Sequence, residues 1–307
     1  MKLKQLLNNE NYNIGFSYIT PEELITKKKI GHIHWINHPY KDRFFADPFI
    51  LDVTENHIIV LVEEFAYKEL QGLISELHVN RHTWEIDQKY TALKLDTHLS
   101  FPAIIRQDNK IYVYPENSAS GCLNIYEYDN ENHCLINPKC ILEESVADGV
   151  IVEHSDSWFL IAVKSKNIFK NTYIYKADRF DGEYHQISDN PFETDIRYSR
   201  SAGAFFNVGK RWFRPAQDCK KRYGSAVSIM EIETWNQTIK ESFYMKISPN
   251  SYHYNLGLHT LNLYKGVCAV DGYGYFYPTW GRIVNPFLWL PRRLNRIFLK
   301  YSFNKYS

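Results

Sequence analysis

The chain has 307 residues, a length that one large domain or two ordinary ones could fill. Hydrophobic residues make up 44% of it and aromatics 16%, an aromatic excess that suits half-buried strands and walls that stack on flat rings. Lys and Arg total 36 against 35 Asp and Glu, so no overall field draws nucleic acid, and with no nucleic-acid-binding motif present that class is set aside.

Met1 to Asn9 carries Lys2 and Lys4 but no apolar run fit for a signal peptide. No stretch approaches the roughly 18 apolar residues of a membrane span. A helix is expected around Pro21 to Lys27, followed by the basic run Lys27-Lys28-Lys29 and the aromatic stretch HIHWINHPY. His32, His34 and His38 alternate there, but no fourth ligand is evident, so they read as structural and no metal site is expected. Part of residues 1–40 is expected to supply a strand that joins the two ends of the fold.

Five segments then share one grammar: a small or acidic opening residue, an apolar run, a polar turn and an aromatic-rich strand. They are ADPFILDVTENHIIVLVEE from Ala46, SFPAIIRQDNKIYVYPEN from Ser100, ADGVIVEHSDSWFLIAV from Ala147, SAGAFFNVGKRWFRPAQD from Ser201 and GLHTLNLYKGVCAVDGY from Gly257. The starts lie 54, 47, 54 and 56 residues apart, and three units continue into a further strand: ISELHVN, LNIYEYD and NTYIYKAD. Asp108-Asn109-Lys110 and Asn207-Val208-Gly209-Lys210 provide hairpin chemistry. Short strands in units repeated at this spacing mark propeller blades. The fold class expected is therefore all-β: one five-bladed β-propeller over residues 1–282, with blade starts near 46, 100, 147, 201 and 257. Trp84, Trp158, Trp212 and Trp235 recur late in blades and read as core.

In the tail, no acidic residue follows Asp271, while Arg282, Arg292, Arg293, Arg296, Lys300 and Lys305 alternate with Phe287, Leu288, Trp289, Leu290, Leu294, Ile297, Phe298 and Leu299. Residues 283–307 thus read as a short basic amphipathic helix, suited to a membrane surface or to docking on the propeller or a partner. The five cysteines, Cys122, Cys134, Cys140, Cys219 and Cys268, lack metal-ligand spacing and read as reduced thiols. A cytoplasmic location is expected, with peripheral contact at the inner face of the cell membrane.

Blade openings converge on one channel in a propeller. That places Asp47, the stretch from His98 to Pro102, Asp148, Arg200 and His259 around one mouth, with the second-strand ends Glu64, Glu116, Gln217, Asp218 and Asp271 nearby. Glycosyl chemistry needs two carboxylates, one to give a proton to the leaving oxygen and one to attack or activate the attacking group. Asp47 and Asp148 are the natural pair, with Glu116 or Asp218 as a third. As turn formers the same acids would be purely structural. Arg200, Arg214 and Arg222, with Tyr223-Gly224 after them, form a second constellation able to grip a carboxylate or phosphate, or else pair with Asp195 and Asp218. His259 is a candidate for proton transfer or a hydrogen-bonded structural residue.

HLSFPAI, YVYPENSASG, ADGVIVEHSDSWFLIA, RSAGAFF, RPAQDCKKRYG, GLHTLN and AVDGY follow one another in order. Together they resemble the N-terminal domain family of glucosamine inositolphosphorylceramide transferase over roughly residues 40–275, and RPAQDCKKRYG is the most specific piece. More distantly, ADPF resembles the first-blade motif of the arabinanase and β-xylosidase propellers of glycoside hydrolase family 43, which implies a catalytic-base role for Asp47. The chain departs from its relatives at Asp148-Gly149, where they often carry Asp-Pro, and at Leu258-His259, where they show a doubled His. The resemblance implies a sugar context and, in bacteria, surface-polysaccharide synthesis. In the plant proteins a separate glycosyltransferase domain follows this propeller, so a partner transferase is also expected.

The expected function is carbohydrate-active: a glycosyltransferase or glycosidase-like enzyme of capsule or lipopolysaccharide synthesis, holding the sugar in the central cavity. Asp47, Asp148 and Glu116 are the expected catalytic residues. Glu64, His98, Arg200, Arg214, Gln217, Asp218, His259 and Asp271 are expected to bind a substrate that is phosphorylated or lipid-linked. No cofactor is expected, and no Gly-rich nucleotide fingerprint is present. The alternatives are a non-catalytic glycan-binding or scaffolding propeller that assists a partner transferase, and a hydrolase that trims the glycan.

Overall fold

The computed structural model describes residues 11–167, 171–235 and 239–283; the tail expected over 283–307 lies, but for Ile283, outside the described residues. Five antiparallel sheets follow one another around a ring, confirming the five-bladed propeller. The first blade comprises Arg43–Val53, His57–Ala66, Gln71–Asn80 and Ile86–Leu93, and the second Ser100–Gln107, Lys110–Glu116, Leu123–Asp129 and Cys134–Leu142. Val146–His154, Ser157–Lys164, Thr172–Ala177 and His185–Gln186 form the third. In the fourth, the opening strand is split into Arg200–Ser201 and Phe206–Val208, ahead of Arg211–Asp218, Ala226–Thr234 and Lys240–Ile247.

The fifth blade closes the ring. Leu261–Tyr264 and Val267–Gly274 come from the C-terminal side, and Asn11–Tyr18 and His34–Trp35 from the N-terminal side. Asn11–Tyr18 pairs along its whole length with Val267–Gly274, from Asn11 opposite Gly274 to Tyr18 opposite Val267. Between the two N-terminal strands lies the expected helix, Pro21–Lys27, opened by a reciprocal capping box of Thr20 and Glu23. A further helical turn covers 278–283, and no described helix is long and apolar enough to cross a membrane.

Both faces of each blade pack on a neighbour, so strands such as HIIVLVEEFA are apolar nearly throughout rather than alternating. The core accordingly lies in the seams. Leu51, Leu61, Ile74, Leu99, Val113 and Leu135 fill the one between the first two blades, and Ile14, Phe16, Phe45, Val60 and Ala269 the one between the last and the first. The expected hairpin at Asp108-Asn109 is present, with both residues at positive φ between the facing pair Gln107 and Lys110. The cysteines differ from expectation: Cys122, just ahead of the third strand of the second blade, is joined in a disulfide to Cys140 in the fourth. The premise of five reduced thiols is therefore withdrawn; Cys134, Cys219 and Cys268 are free.

A repeated kink positions the centre. The opening strands of the first three blades each carry a bulge, between Ala46 and Phe49, Ser100 and Ala103, and Ala147 and Val150. At each bulge one non-glycine residue takes a positive φ: Asp47 at 50°, Phe101 at 45° and Asp148 at 47°. This is costly backbone for a residue with a side chain, and at all three positions a carboxylate from the preceding blade accepts the strained residue's amide hydrogen bond. Asp271 takes that of Asp47 (3.1 Å), Asp47 that of Phe101 (3.1 Å) and Glu116 that of Asp148 (3.0 Å).

Candidate active site

The kinks turn Asp47 and Asp148 toward the axis, where side chains from all five blades meet. Asp47 Oδ1 accepts the Thr260 hydroxyl hydrogen bond at 2.6 Å and lies 3.8 Å from His259 Nε2. Asp271 is completely buried. Its Oδ1 accepts the amides of His259 (3.0 Å) and Thr260 (2.8 Å), and its Oδ2 is 2.5 Å from His259 Nδ1. Donor atoms of Asp47, His259 and Asp271 all lie within 4.8 Å of one another, so this trio could hold a proton or a cation. On the opposite side, Asp148 is ion-paired with Arg200 and accepts from Gln217 Nε2 at 3.2 Å. The Arg200 guanidinium lies over the Tyr223 ring, 5.0 Å from its centroid.

Aromatic rings wall the cluster. Tyr12 stacks on Tyr273 at 4.8 Å and lies 4.9 Å from Phe44 and 5.2 Å from His259. Tyr223 stands edge-on to His259 at 5.4 Å and keeps 37% of its surface exposed, so the cluster meets solvent beside an aromatic face. Gly224 makes this placement possible: at φ +52° a Cβ there would lie 2.3 Å from His259 Cβ.

Crowding buried acids together holds protons on some of them. Burial, reinforced by Asp148, raises Glu116 to about 8 despite Arg200. Glu63 is raised well above the usual carboxylate range by burial and by Asp47, Glu116 and Asp271. Asp47 is brought to about 6, chiefly by burial, against the pull of His259. Burial alone would lower His259, but the charge and hydrogen bond of Asp271, then Asp47 and Asp148, outweigh it and bring the imidazole to about 9. At neutral pH the cluster thus combines a protonated Glu116, a mostly ionised Asp47 and an imidazolium.

Of the residues read from the sequence, Asp47, Glu116, Asp148, Arg200, Gln217, His259 and Asp271 come together. His98 lies at the edge, its Nδ1 accepting the Gly72 amide at 2.9 Å and its Nε2 3.5 Å from Glu63. Three residues lie elsewhere. Glu64 points away from the axis to Arg43, Lys89 (2.8 Å) and Ser75 (2.5 Å). Arg214 is buried inside the fourth blade on Glu241 and the Tyr198 carbonyl, apart from Arg200. Asp218 caps its own turn, accepting from the Lys220 amide at 2.9 Å and pairing with Lys246 at 2.5 Å. Glu63 was missed because adjacent residues of a strand point to opposite faces, and the sequence does not say which face of the Glu63-Glu64 pair meets the axis. Tyr12 and Thr260 were missed because ring closure and a neighbouring blade bring them in; only the expectation of an N-terminal closing strand pointed toward Tyr12.

The family model for glucosamine inositolphosphorylceramide transferase 1, N-terminal, matches residues 31–252, well over half of the chain. The chain belongs to this family. Among curated proteins, glucosamine inositolphosphorylceramide transferase 1 of Oryza sativa subsp. japonica is 27% identical over 207 residues, covering 63% of this chain and 27% of the relative. That of Arabidopsis thaliana is 27% identical over 217 residues, covering 68% and 28%. The match thus spans little more than a quarter of the length of these relatives. Among solved structures, a family-43 β-xylosidase/α-arabinofuranosidase from a compost microbial metagenome aligns over 78% of this chain and 93% of its own, at 11% identity and a TM-score of 0.53. A thermostable family-43 glycoside hydrolase aligns over 72% and 83%, at 11% identity and a TM-score of 0.50. These likenesses concern the fold.

Proposed function

We propose that this chain is a carbohydrate-active protein that holds a sugar against the central acids and carries out acid–base chemistry at a glycosidic or glycosyl-phosphate bond, as a glycosyltransferase or glycosidase-like enzyme. The observation that carries this reading is the meeting of the buried carboxyls of Asp47, Glu116 and Asp148 with His259 and Arg200 at the axis, where burial holds protons on the carboxyls to different degrees. Glu116, at about 8, keeps a proton at neutral pH, while Asp47, at about 6, has mostly lost its own. A protonated carboxyl can give its proton to a leaving oxygen, and an ionised one can attack or activate the attacking group. Asp148 and Arg200 would orient the substrate, and the Tyr12, Tyr273 and Tyr223 faces would stack on the ring. The names of the plant relatives support an amino sugar and a phosphorylated lipid as the substrate class. Arg200 and the adjoining Lys220-Lys221-Arg222 loop suit the anionic part of such a substrate. In the Asp47→Asn variant, turnover is expected to disappear while the fold persists; undiminished turnover would reject the assignment.

A second reading is a non-catalytic glycan-binding propeller that positions a partner glycosyltransferase. It is favoured by the full engagement of Asp47, whose Oδ1 takes the Thr260 hydroxyl and whose Oδ2 takes the Phe101 amide. Sugar binding without turnover, unaffected by Asp47→Asn, would favour this reading. The wider setting we propose is surface-polysaccharide assembly at the inner face of a bacterial membrane, with residues 283–307 on the lipid. Liposome flotation with and without those residues tests the contact. Protease digestion of spheroplasts tests the compartment: protection of the chain supports the cytoplasmic side, and digestion without lysis rejects that side.

A further inference from the structure

Outside the central cluster, the buried acids of the described residues are generally answered by a lysine or arginine: Glu64 by Arg43 and Lys89, Asp218 by Lys246, Glu241 by Arg214. Glu76 is different. It is completely buried in the third strand of the first blade, and among the described residues its ion-pair partners are two imidazoles. Its Oε1 is 2.7 Å from His78 Nε2 and 2.9 Å from His133 Nδ1, and its Oε2 accepts the Tyr128 hydroxyl at 2.6 Å. A buried carboxylate without a cation is expensive. Here the two nearest nitrogens are ligands that bind a metal ion in their neutral form.

We propose that Glu76, His78 and His133 form a site for a divalent transition-metal ion, Zn²⁺ by the chemistry of the set, in the seam between the first and second blades. Two imidazoles and one carboxylate are a borderline-soft donor set, and all three donor atoms lie within 4.8 Å of one another. Zinc bonds of about 2.0–2.1 Å in a tetrahedron place ligands about 3.3 Å apart. The two nitrogens need therefore draw back about half an ångström from Glu76 and settle at a like distance from each other, leaving a fourth position for water.

The surroundings resemble the outer layer of a built metal site. Tyr128 fixes the remaining carboxylate oxygen. Tyr90 lies flat on His133, 3.9 Å between centroids and 10° between planes, and edge-on to His78 at 5.6 Å. Glu76 and His78 are two apart on one strand and so share a face, while His133 sits at φ +53° on the hairpin leading into the last strand of the second blade. The side chains of His78 and His133 keep 13% and 25% of their surface, so an ion can reach them. An ion there would tie two blades through groups 55 and 57 residues apart in sequence, a separation no ligand-spacing motif covers.

The test uses the full chain stripped with EDTA and titrated with Zn²⁺ and Co²⁺. One ion per chain is expected, with the visible absorption of four-coordinate Co²⁺ and a rise of several degrees in the thermal midpoint at saturating Zn²⁺. His133→Ala and the volume-keeping His78→Gln should each weaken binding at least 100-fold and remove the midpoint rise. Asp271→Asn, in the other cluster, should change neither. Absence of saturable binding up to millimolar Zn²⁺ would overturn the proposal. Binding that survives both histidine variants, or that vanishes in Asp271→Asn, would overturn it as well. Metal-free melting of each variant separates loss of the site from loss of the fold.

Discussion

The two sides of the central cluster hold their acids by different means. Asp148 faces Arg200, a cation that keeps its charge throughout the working range, with Gln217 as a neutral second donor. Asp47 and Asp271 face His259, whose charge depends on a proton held to about pH 9. The first arrangement is a fixed clamp and the second is proton-governed. Chemistry that moves a proton belongs where Asp47 and Glu116 differ in protonation, and the Arg200 side is better suited to gripping charge.

Replacing Arg200 by Met should have the largest effect on stability, because it leaves Asp148 buried without a cation. A loss of about 3–5 kcal/mol in denaturant unfolding is expected; a loss under about 1 kcal/mol would break the contrast between the two sides. Next in size is the pH response of the proton-governed side. Asp47, Glu116 and His259 all hold protons in the native state above their ordinary values of 3.8, 4.5 and 6.5, to about 6, 8 and 9 respectively. At these three groups the folded chain therefore binds more protons than the unfolded one, so the stability they contribute falls as pH rises from about 4 to 9. His259→Gln should lessen the fall between about pH 6.5 and 9, leaving there the contribution of Glu116. Stability that rises with pH over that upper window would contradict the assignment.

Much of this was legible in the sequence. Five repeats gave the ring, and their openings gave Asp47, Asp148, Arg200 and His259, because a propeller turns repeat position directly into spatial position. What was not legible depends on facing. Glu63 and Glu64 are neighbours that point to opposite faces of their strand, and the packing of the blades around it decides which one meets the axis. Arg214 has the composition of a substrate-binding residue but sits three residues before Gln217, on the face of its strand that packs into the blade against Glu241. The Cys122–Cys140 bond joins segments whose pairing spacing alone does not define.

Facing also supplies a smaller test. Glu64→Gln should cost about 1–2 kcal/mol, because Arg43 and Lys89 lose their shared partner but can turn to solvent. Glu63→Gln, at a carboxyl whose burial beside Asp47, Glu116 and Asp271 favours the neutral form, should cost less than Glu64→Gln. Glu63→Gln should nonetheless weaken sugar binding, which Glu64→Gln should leave intact. The reverse pattern would mean that Glu64, not Glu63, serves the centre.

The most direct measurement is a glutamate-selective ¹³C-carboxyl NMR titration of the intact chain and of the Glu63→Gln and Glu116→Gln variants. Two glutamates of the central cluster should titrate well above 4.5, one of them near 8, with a different one of the two signals lost in each variant. If every glutamate titrates below about 5, the centre holds no proton at neutral pH and the acid–base reading fails.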